Sequence, residues 1–281
     1  MRTLSEIRRS LAGRAWKVLT RYPVPPAPPP SDQHKAPLPR SELAFHSPGQ
    51  AELRGRWPMS PILQSTDTGW ARVLRRLYDS PLSFPACISP DGGLLLYALV
   101  RNIRPRRIIE TGTYIGVSTI WMAAALREIG QGGVLDTFDG FLPIRPGVYR
   151  EAELVRGRRE SVEDALREAG LASCVRLHKG RSSFEIAAMQ PQLQSEGGVQ
   201  LAYIDGDHEY AGVCHDLWAI EPVLQTGGFV IFHDVFPEFC GWDGPRQLLD
   251  NINRVARGRY AMCDVALGPV NYGLTILRRV G

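Results

Sequence analysis

Residues 106–139 read RRIIETGTYIGVSTIWMAAALREIGQGGVLDTFD, and this run decides the fold class. RRIIE is a short apolar segment of strand type, and TGTYIG is a glycine-bearing turn. VSTIWMAAALREIG is an apolar helix stopped by Gly130, and VLDTFD returns to a second strand. A strand, a turn, a helix and another strand make a βαβ unit, with a right-handed crossover and parallel strands.

The same alternation continues downstream. A polar helix is expected over about Glu151–Ala169, then a strand at CVRLHKG and a helix at SSFEIAAMQ. VQLAYID is a strand, Tyr210–Leu224 a helix and GGFVIFHD a strand, followed by a helix at PRQLLDNINRVA. Two closing strands, YAMCDVAL and YGLTILRR, are joined only through GPVN, so they must be antiparallel neighbours. Upstream, SPDGGLLLYALVRNIRP reads as a helix capped by Ser89, with Pro90 in its first turn. TDTGWARVLRRLYDS is another, with an apolar stripe through Trp70, Val73, Leu74 and Leu77. The fold class is α/β, a doubly wound and mostly parallel sheet.

Composition limits the partners. The chain of 281 residues has a net charge of +4, but residues 1–21 alone carry +5 and the remainder about −1. A nucleic-acid-binding domain carries its positive charge in its folded part, so nucleic acid is not an expected partner. Residues 1–21 form a basic amphipathic segment whose apolar stripe is expected to pack on the domain or on a second subunit of a homo-oligomer; membrane contact is the less favoured reading. Residues 22–60 form a proline-rich linker, with eight prolines in 22–40, and residues 61–281 the compact domain with its N-terminal helices. No window offers eighteen uninterrupted apolar residues. Five scattered cysteines without a C-x-x-C point to a reducing, cytoplasmic setting.

Chemistry concentrates at the strand ends. Glu110, Gly112 and Gly116 bracket the first βα turn, where glycine admits close approach of a ligand and the helix start offers free N–H groups. The spacing is not the dinucleotide G-x-G-x-x-G, and an acid two residues before the first glycine suits a cationic ligand. Asp139 ends the second strand, where a carboxylate can accept both hydroxyls of a ribose. Gly180-Arg181-Ser182 can flank a purine, or Ser182 can simply cap a helix. The densest cluster is Tyr203-Ile-Asp205-Gly-Asp207-His208-Glu209-Tyr210, with His233-Asp234 ending the next strand. Asp205, His233 and Asp234 offer oxygen and nitrogen donors for a divalent cation, and His208 an imidazole that can take a proton. Phe236, Phe239 and Trp242 read either as an apolar or ring-stacking wall beside this cluster or as core.

IIETGTYIGVST, TFDGF and YIDGDHEYAGVCHDLWAIEPVLQTGGFVIFHD together resemble class I S-adenosylmethionine-dependent methyltransferases. The closer likeness is to the macrocin and cephalosporin-hydroxylase-like O-methyltransferase branch, over about residues 85–280. The resemblance implies a seven-stranded sheet with its last strand antiparallel. It implies S-adenosyl-L-methionine as cofactor, held by Glu110, Gly112, Thr113, Gly116 and Ser118 at the methionine side, Asp139 at the ribose, and Ser182 and Asp205 beyond. In metal-dependent relatives an acid ends the fourth strand and two ligands end the fifth; these positions are Asp205, His233 and Asp234, with Mg²⁺ or another divalent cation implied. His233 departs from the carboxylate usual there. His208 stands where those relatives place a basic residue and is the expected general base, with Asp205 as its catalytic partner. The expected reaction is O-methylation of a hydroxylated small-molecule acceptor: a sugar, a glycoside or a phenol. The alternatives are an NAD-binding oxidoreductase, which the missing dinucleotide fingerprint opposes, and a non-catalytic accessory protein on the same fold.

Overall fold

The computed structural model describes residues 56–146, 152–256, 258–267 and 272–281. The basic segment 1–21 and the linker up to residue 55 lie outside the described residues. Helix α1 is Pro61–Ser65, α2 Gly69–Tyr78 and α3 Pro90–Ile103. Thr68 caps α2 by accepting from the Ala71 N–H at 3.3 Å, and Ser89 caps α3 by accepting from Gly92 N–H at 3.1 Å. The alternating unit follows as β1 Arg107–Thr111, α4 Val117–Ile129, β2 Val134–Asp139, α5 Arg158–Glu168, β3 Val175–Lys179 and α6 Ser182–Ser195. It continues as β4 Val199–Ile204, α7 Tyr210–Ile220, β5 Leu224–His233, α8 Pro237–Cys240, α9 Gly244–Val255, β6 Tyr260–Val265 and β7 Leu274–Arg279.

The strands form a seven-stranded sheet in the order β3-β2-β1-β4-β5-β7-β6. β1 to β5 are parallel, and β7 runs antiparallel to both β5 and β6. Because β1 is buried along its whole length, each strand face needs a helical layer over it. Leu74, Leu96, Ile120, Trp121 and Val162 form the core with α2–α5, whereas Ile186, Val213, Leu217 and Leu249 form the opposite core with α6, α7 and α9. α3 and α4 touch closely: a Cβ on Gly93 would collide with the Trp121 indole, whose Nε1 donates to Tyr78 Oη at 2.9 Å.

The register sets the site. Thr111 pairs with Phe138 on one side and Ile204 on the other, and Ile204 pairs with Phe232. Gly112, Asp139, Asp205 and His233 therefore leave the sheet at one level, on one rim.

Four expectations needed correction. The polar helix starts at Arg158 rather than Glu151: Gly157 stands at φ 71° before it, and Leu154 exchanges both backbone hydrogen bonds with Ile144. The helix from Tyr210 ends at Ile220, because Pro222 has no N–H to continue the ladder, and Leu224 already belongs to β5. α6 continues through Pro191 to Ser195. The packed unit also begins before residue 61, since Trp57 is buried edge-on to Phe84 and its Nε1 donates to the Ser83 carbonyl.

Candidate active site

A cavity of about 840 Å³ opens along this rim, lined by Gly112, Thr113 and Ser118 at one side and by Asp205, His208 and Asp234 at the other. Asp139, Arg158 and Ser182 line it at the ends of β2 and β3.

The βα turn needs its glycines for different reasons. Gly112 has φ 88° and packs so tightly on the Asp205 carbonyl that a Cβ would collide with it. Gly116 has φ 90° and starts α4; it shapes the turn without lining the cavity. Glu110 does not line it either. Its carboxylate is wholly buried and accepts from the hydroxyls of Ser118 and Thr119, each at 2.6 Å. Burial pushes that carboxyl up to about 7, against the opposing pull of these hydroxyls and of Thr137. Glu110 thus anchors Ser118, which lines the cavity, from behind. Thr113 lines the cavity with its hydroxyl bonded to that of Thr137 at 2.6 Å.

At the end of β2, Asp139 is already engaged. One oxygen accepts from Phe141 N–H at 2.7 Å, and the other accepts from Tyr114 N–H at 2.9 Å and from Arg158. Arg158 also donates to the carbonyls of Tyr114 and Leu142, at 3.0 and 2.8 Å, and lies against the rings of Tyr114 and Phe141. Sequence reasoning missed Arg158, one arginine in the run RGRR; only the chain's return to the rim reveals it. Ser182 donates to Asp216 at 2.6 Å; it does not cap α6, whose N-cap is Arg181, and it lines the cavity. Asp216, also missed, is buried in α7, and burial pushes it up to about 6.

The other end of the cavity gathers two carboxylates and two imidazoles. His208 Nε2 lies 2.6 Å from Asp234 Oδ2 and 3.6 Å from Asp205 Oδ1. His233 Nδ1 lies 3.3 Å from Asp205 Oδ1 and 3.1 Å from Asp234 Oδ1. Asp234 reaches this position from a left-handed backbone, φ 55°. Burial disfavours an imidazolium at His208, yet hydrogen bonding and charge from Asp205 and Asp234 outweigh it and push the group up to about 10. His233 is likewise raised by the same carboxylates against its burial, and Asp234 is held low by the imidazoles despite its own. The two carboxylates thus favour the imidazolium form of His208 over the neutral one expected. Tyr203 supports Asp205, donating to Oδ2 at 3.1 Å.

Donor atoms of Asp205, His208 and Asp234 fall within 4.8 Å of one another, a spacing that suits a metal ion. This set has His208 where His233 was expected as the third ligand. His208 Nε2, His233 Nδ1 and Asp234 Oδ1 are buried without completing a hydrogen bond. Of the three aromatics expected as a wall, Trp242 lines the cavity, with its ring centroid 5.6 Å from that of His208. Phe239 is exposed, whereas Phe236 is core, packed on Gly273 beneath the Arg246 guanidinium.

Residues 109–235 match a family model described as a methyltransferase domain. The strand order and the antiparallel β7 are those of the class I methyltransferase fold. Among solved structures, the O-methyltransferase TomG from Streptomyces achromogenes, in complex with SAM, superposes with a TM-score of 0.55 at 23% identity, over 77% of this chain and 92% of that one. The O-methyltransferase from Bacillus cereus, in complex with SAH, gives 0.57 at 21% identity, over 78% and 94%. A curated relative from Mycobacterium sp. strain JLS, provisionally named an O-methyltransferase, is 29% identical over 149 residues, 52% of this chain and 56% of its own. The chain thus spans about half the length of the curated relatives it matches. No helix among the described residues is long and apolar enough to cross a membrane.

Proposed function

We propose that the chain is an S-adenosyl-L-methionine-dependent methyltransferase acting on a hydroxyl oxygen of a small molecule. The observation that carries this reading is one cavity joining the Gly112 turn and Asp139 to the Asp205–His208–Asp234 cluster. The cofactor fits these residues: a glycine turn without side-chain bulk, a ribose-level carboxylate, and a helix start at Val117 with free N–H groups. When bound, it supplies an electrophilic methyl group and departs as the thioether S-adenosylhomocysteine. The names of the relatives, and the SAM and SAH in two solved neighbours, support the same cofactor here.

The chain's own residues then have distinct tasks. Gly112, Thr113 and Ser118 hold the methionine side, and Asp139 the ribose. Asp205 and Asp234 aim the His208 ring into the cavity. Positive charge brought into the cavity favours the neutral imidazole, whose Nε2 then accepts the acceptor's hydroxyl proton as the new C–O bond forms. Much of the acceleration comes from holding the oxygen near the methyl group.

A metal-assisted variant is favoured by the convergence of Asp205, His208 and Asp234 and by the three buried polar atoms left open there. Two carboxylates with imidazole suit Mn²⁺ or Zn²⁺ better than Mg²⁺. A cation held by these residues would acidify the acceptor hydroxyl. The scattered cysteines support a cytoplasmic setting.

Calorimetry with S-adenosylhomocysteine tests the cofactor: micromolar binding supports the reading, and binding of NADH in its place would overturn it. Radiolabelled methyl transfer with and without EDTA separates the two chemistries.

A further inference from the structure

Resting on that methyl-transfer reading, we propose that the acceptor is a flat, largely apolar molecule with its hydroxyl on an aromatic ring, and that Trp242 is the surface on which this ring lies. The polar lining of the cavity includes Asp139, Arg158 and Ser182 at the ends of β2 and β3, Thr113 and Ser118 at the first βα turn, and Asp205, His208 and Asp234. Apolar residues line it as well: Pro85 and Ile88 from the loop ahead of α3, Leu142, Pro143 and Ile144 from the loop after β2, and Trp242.

Two of these lining side chains are exposed, Leu142 at 70% and Trp242 at 37%. Large exposed apolar side chains that line a cavity mark a binding surface rather than chance exposure. The Trp242 ring lies beside His208 at an interplanar angle of 31°, so a ring resting on Trp242 would bring a substituent toward the imidazole.

This arrangement discriminates between acceptor classes. A sugar carries oxygen on nearly every carbon, and each hydroxyl set against an apolar wall without a partner is costly. The acid–imidazole cluster offers its polar atoms at one place, enough for a reacting hydroxyl and an immediate neighbour. An aromatic ring leaves no such debt. A phenolic hydroxyl also loses its proton near pH 10, as tyrosine does, so it asks less of the cluster than an alkyl alcohol. The hydroxyl proton goes to the imidazole, the oxygen gains the methyl group, and the by-product is S-adenosylhomocysteine.

The test uses the full chain loaded with S-adenosylhomocysteine, with 2-naphthol as aromatic probe and methyl α-glucopyranoside as sugar probe, both titrated by calorimetry. Naphthol is expected to bind and the glucoside to give no heat at the same concentration. Trp242→Ala should weaken naphthol at least tenfold and Trp242→Phe less than threefold, with affinity for S-adenosylhomocysteine held within twofold. Leu142→Asp, at an exposed position where folding is safe, should weaken naphthol about fivefold and stands in if Trp242→Ala does not fold. Binding of the glucoside in place of naphthol, or wild-type naphthol affinity in Trp242→Ala and Leu142→Asp, overturns the acceptor class alone. Failure of the wild type to bind S-adenosylhomocysteine brings down the methyl-transfer reading and this proposal with it.

Discussion

The Asp139 end and the acid–imidazole end of the cavity share one rim and are finished in opposite ways. Asp139 is held in place: two backbone N–H groups and Arg158 meet its oxygens and leave Oδ1 with a further acceptor position. The other end leaves His208 Nε2, His233 Nδ1 and Asp234 Oδ1 buried and without a completed hydrogen bond, though they stand within about 3 Å of opposite charge. A carboxylate held by three donors has fixed geometry, which is what recognition of a rigid ligand needs. A cluster of close but unsatisfied groups keeps its protons exchangeable, which proton transfer needs. On the proposed function, the first end binds and the second carries the chemistry.

Removing the reactive group should give the largest effect. His208→Ala is expected to lower kcat by about 10²–10⁴-fold while S-adenosylmethionine affinity stays within twofold, measured by single-turnover methyl transfer beside calorimetry. The wild-type pH profile sharpens the point. Since Asp205 and Asp234 push His208 up to about 10 in the free protein, kcat/KM should climb with pH through the neutral range toward that value. A flat wild-type profile from pH 6 to 9, with chemistry rate-limiting, would move the base elsewhere.

Glu110 lies between the two ends and tests the turn that connects them. Its carboxyl is raised to about 7 from an ordinary 4.5, so the folded state holds the proton more tightly than the unfolded chain. Its stabilising effect is therefore greatest below pH 4.5 and is lost as pH rises toward 7. That loss is about 3 kcal/mol at most, at 1.36 kcal/mol per unit. Glu110→Gln should remove this slope, gaining on the wild type in denaturant melts at pH 8 relative to pH 5. Equal gains at both pH values would mean that Glu110 is ionised in the fold without penalty.

Asp139→Ala should weaken S-adenosylhomocysteine about 10- to 100-fold through lost charge-assisted contacts. It also strands Arg158, so a double-mutant cycle with Arg158→Gln should show coupling of about 0.5–3 kcal/mol. Strict additivity would deny that the pair acts as one unit. The smallest effect belongs to the N-terminus. Deleting residues 1–55 should leave S-adenosylhomocysteine affinity within twofold, because the proposed site draws only on residues beyond them. Extending the deletion through Trp57 should instead cost about 3 kcal/mol of stability, since that indole is buried in the core. A loss of cofactor affinity with the shorter deletion would make the arm part of the site.

The sequence by itself determined the sheet and its rim. Apolar runs ending in Glu110-Thr-Gly112, Phe138-Asp139, Ile204-Asp205 and Phe232-His233 fix strands whose last residues carry the polar groups, and parallel pairing places those ends together. It could not show how each polar atom is used, because that depends on partners distant in the chain. Arg158 reaches Asp139 only after the loop from Gly140 has returned along the rim, and Asp216 reaches Ser182 only because α6 and α7 pack side by side. The protonation of His208 belongs to the same class. A histidine three residues after an acid reads as a neutral base, but Asp234 arrives from the end of β5 at 2.6 Å, and the second carboxylate shifts that imidazole toward its cationic form. Hydrophobic periodicity is local and survives in the sequence, whereas charge and hydrogen bonding are settled by whichever groups the folded chain brings within about 3 Å.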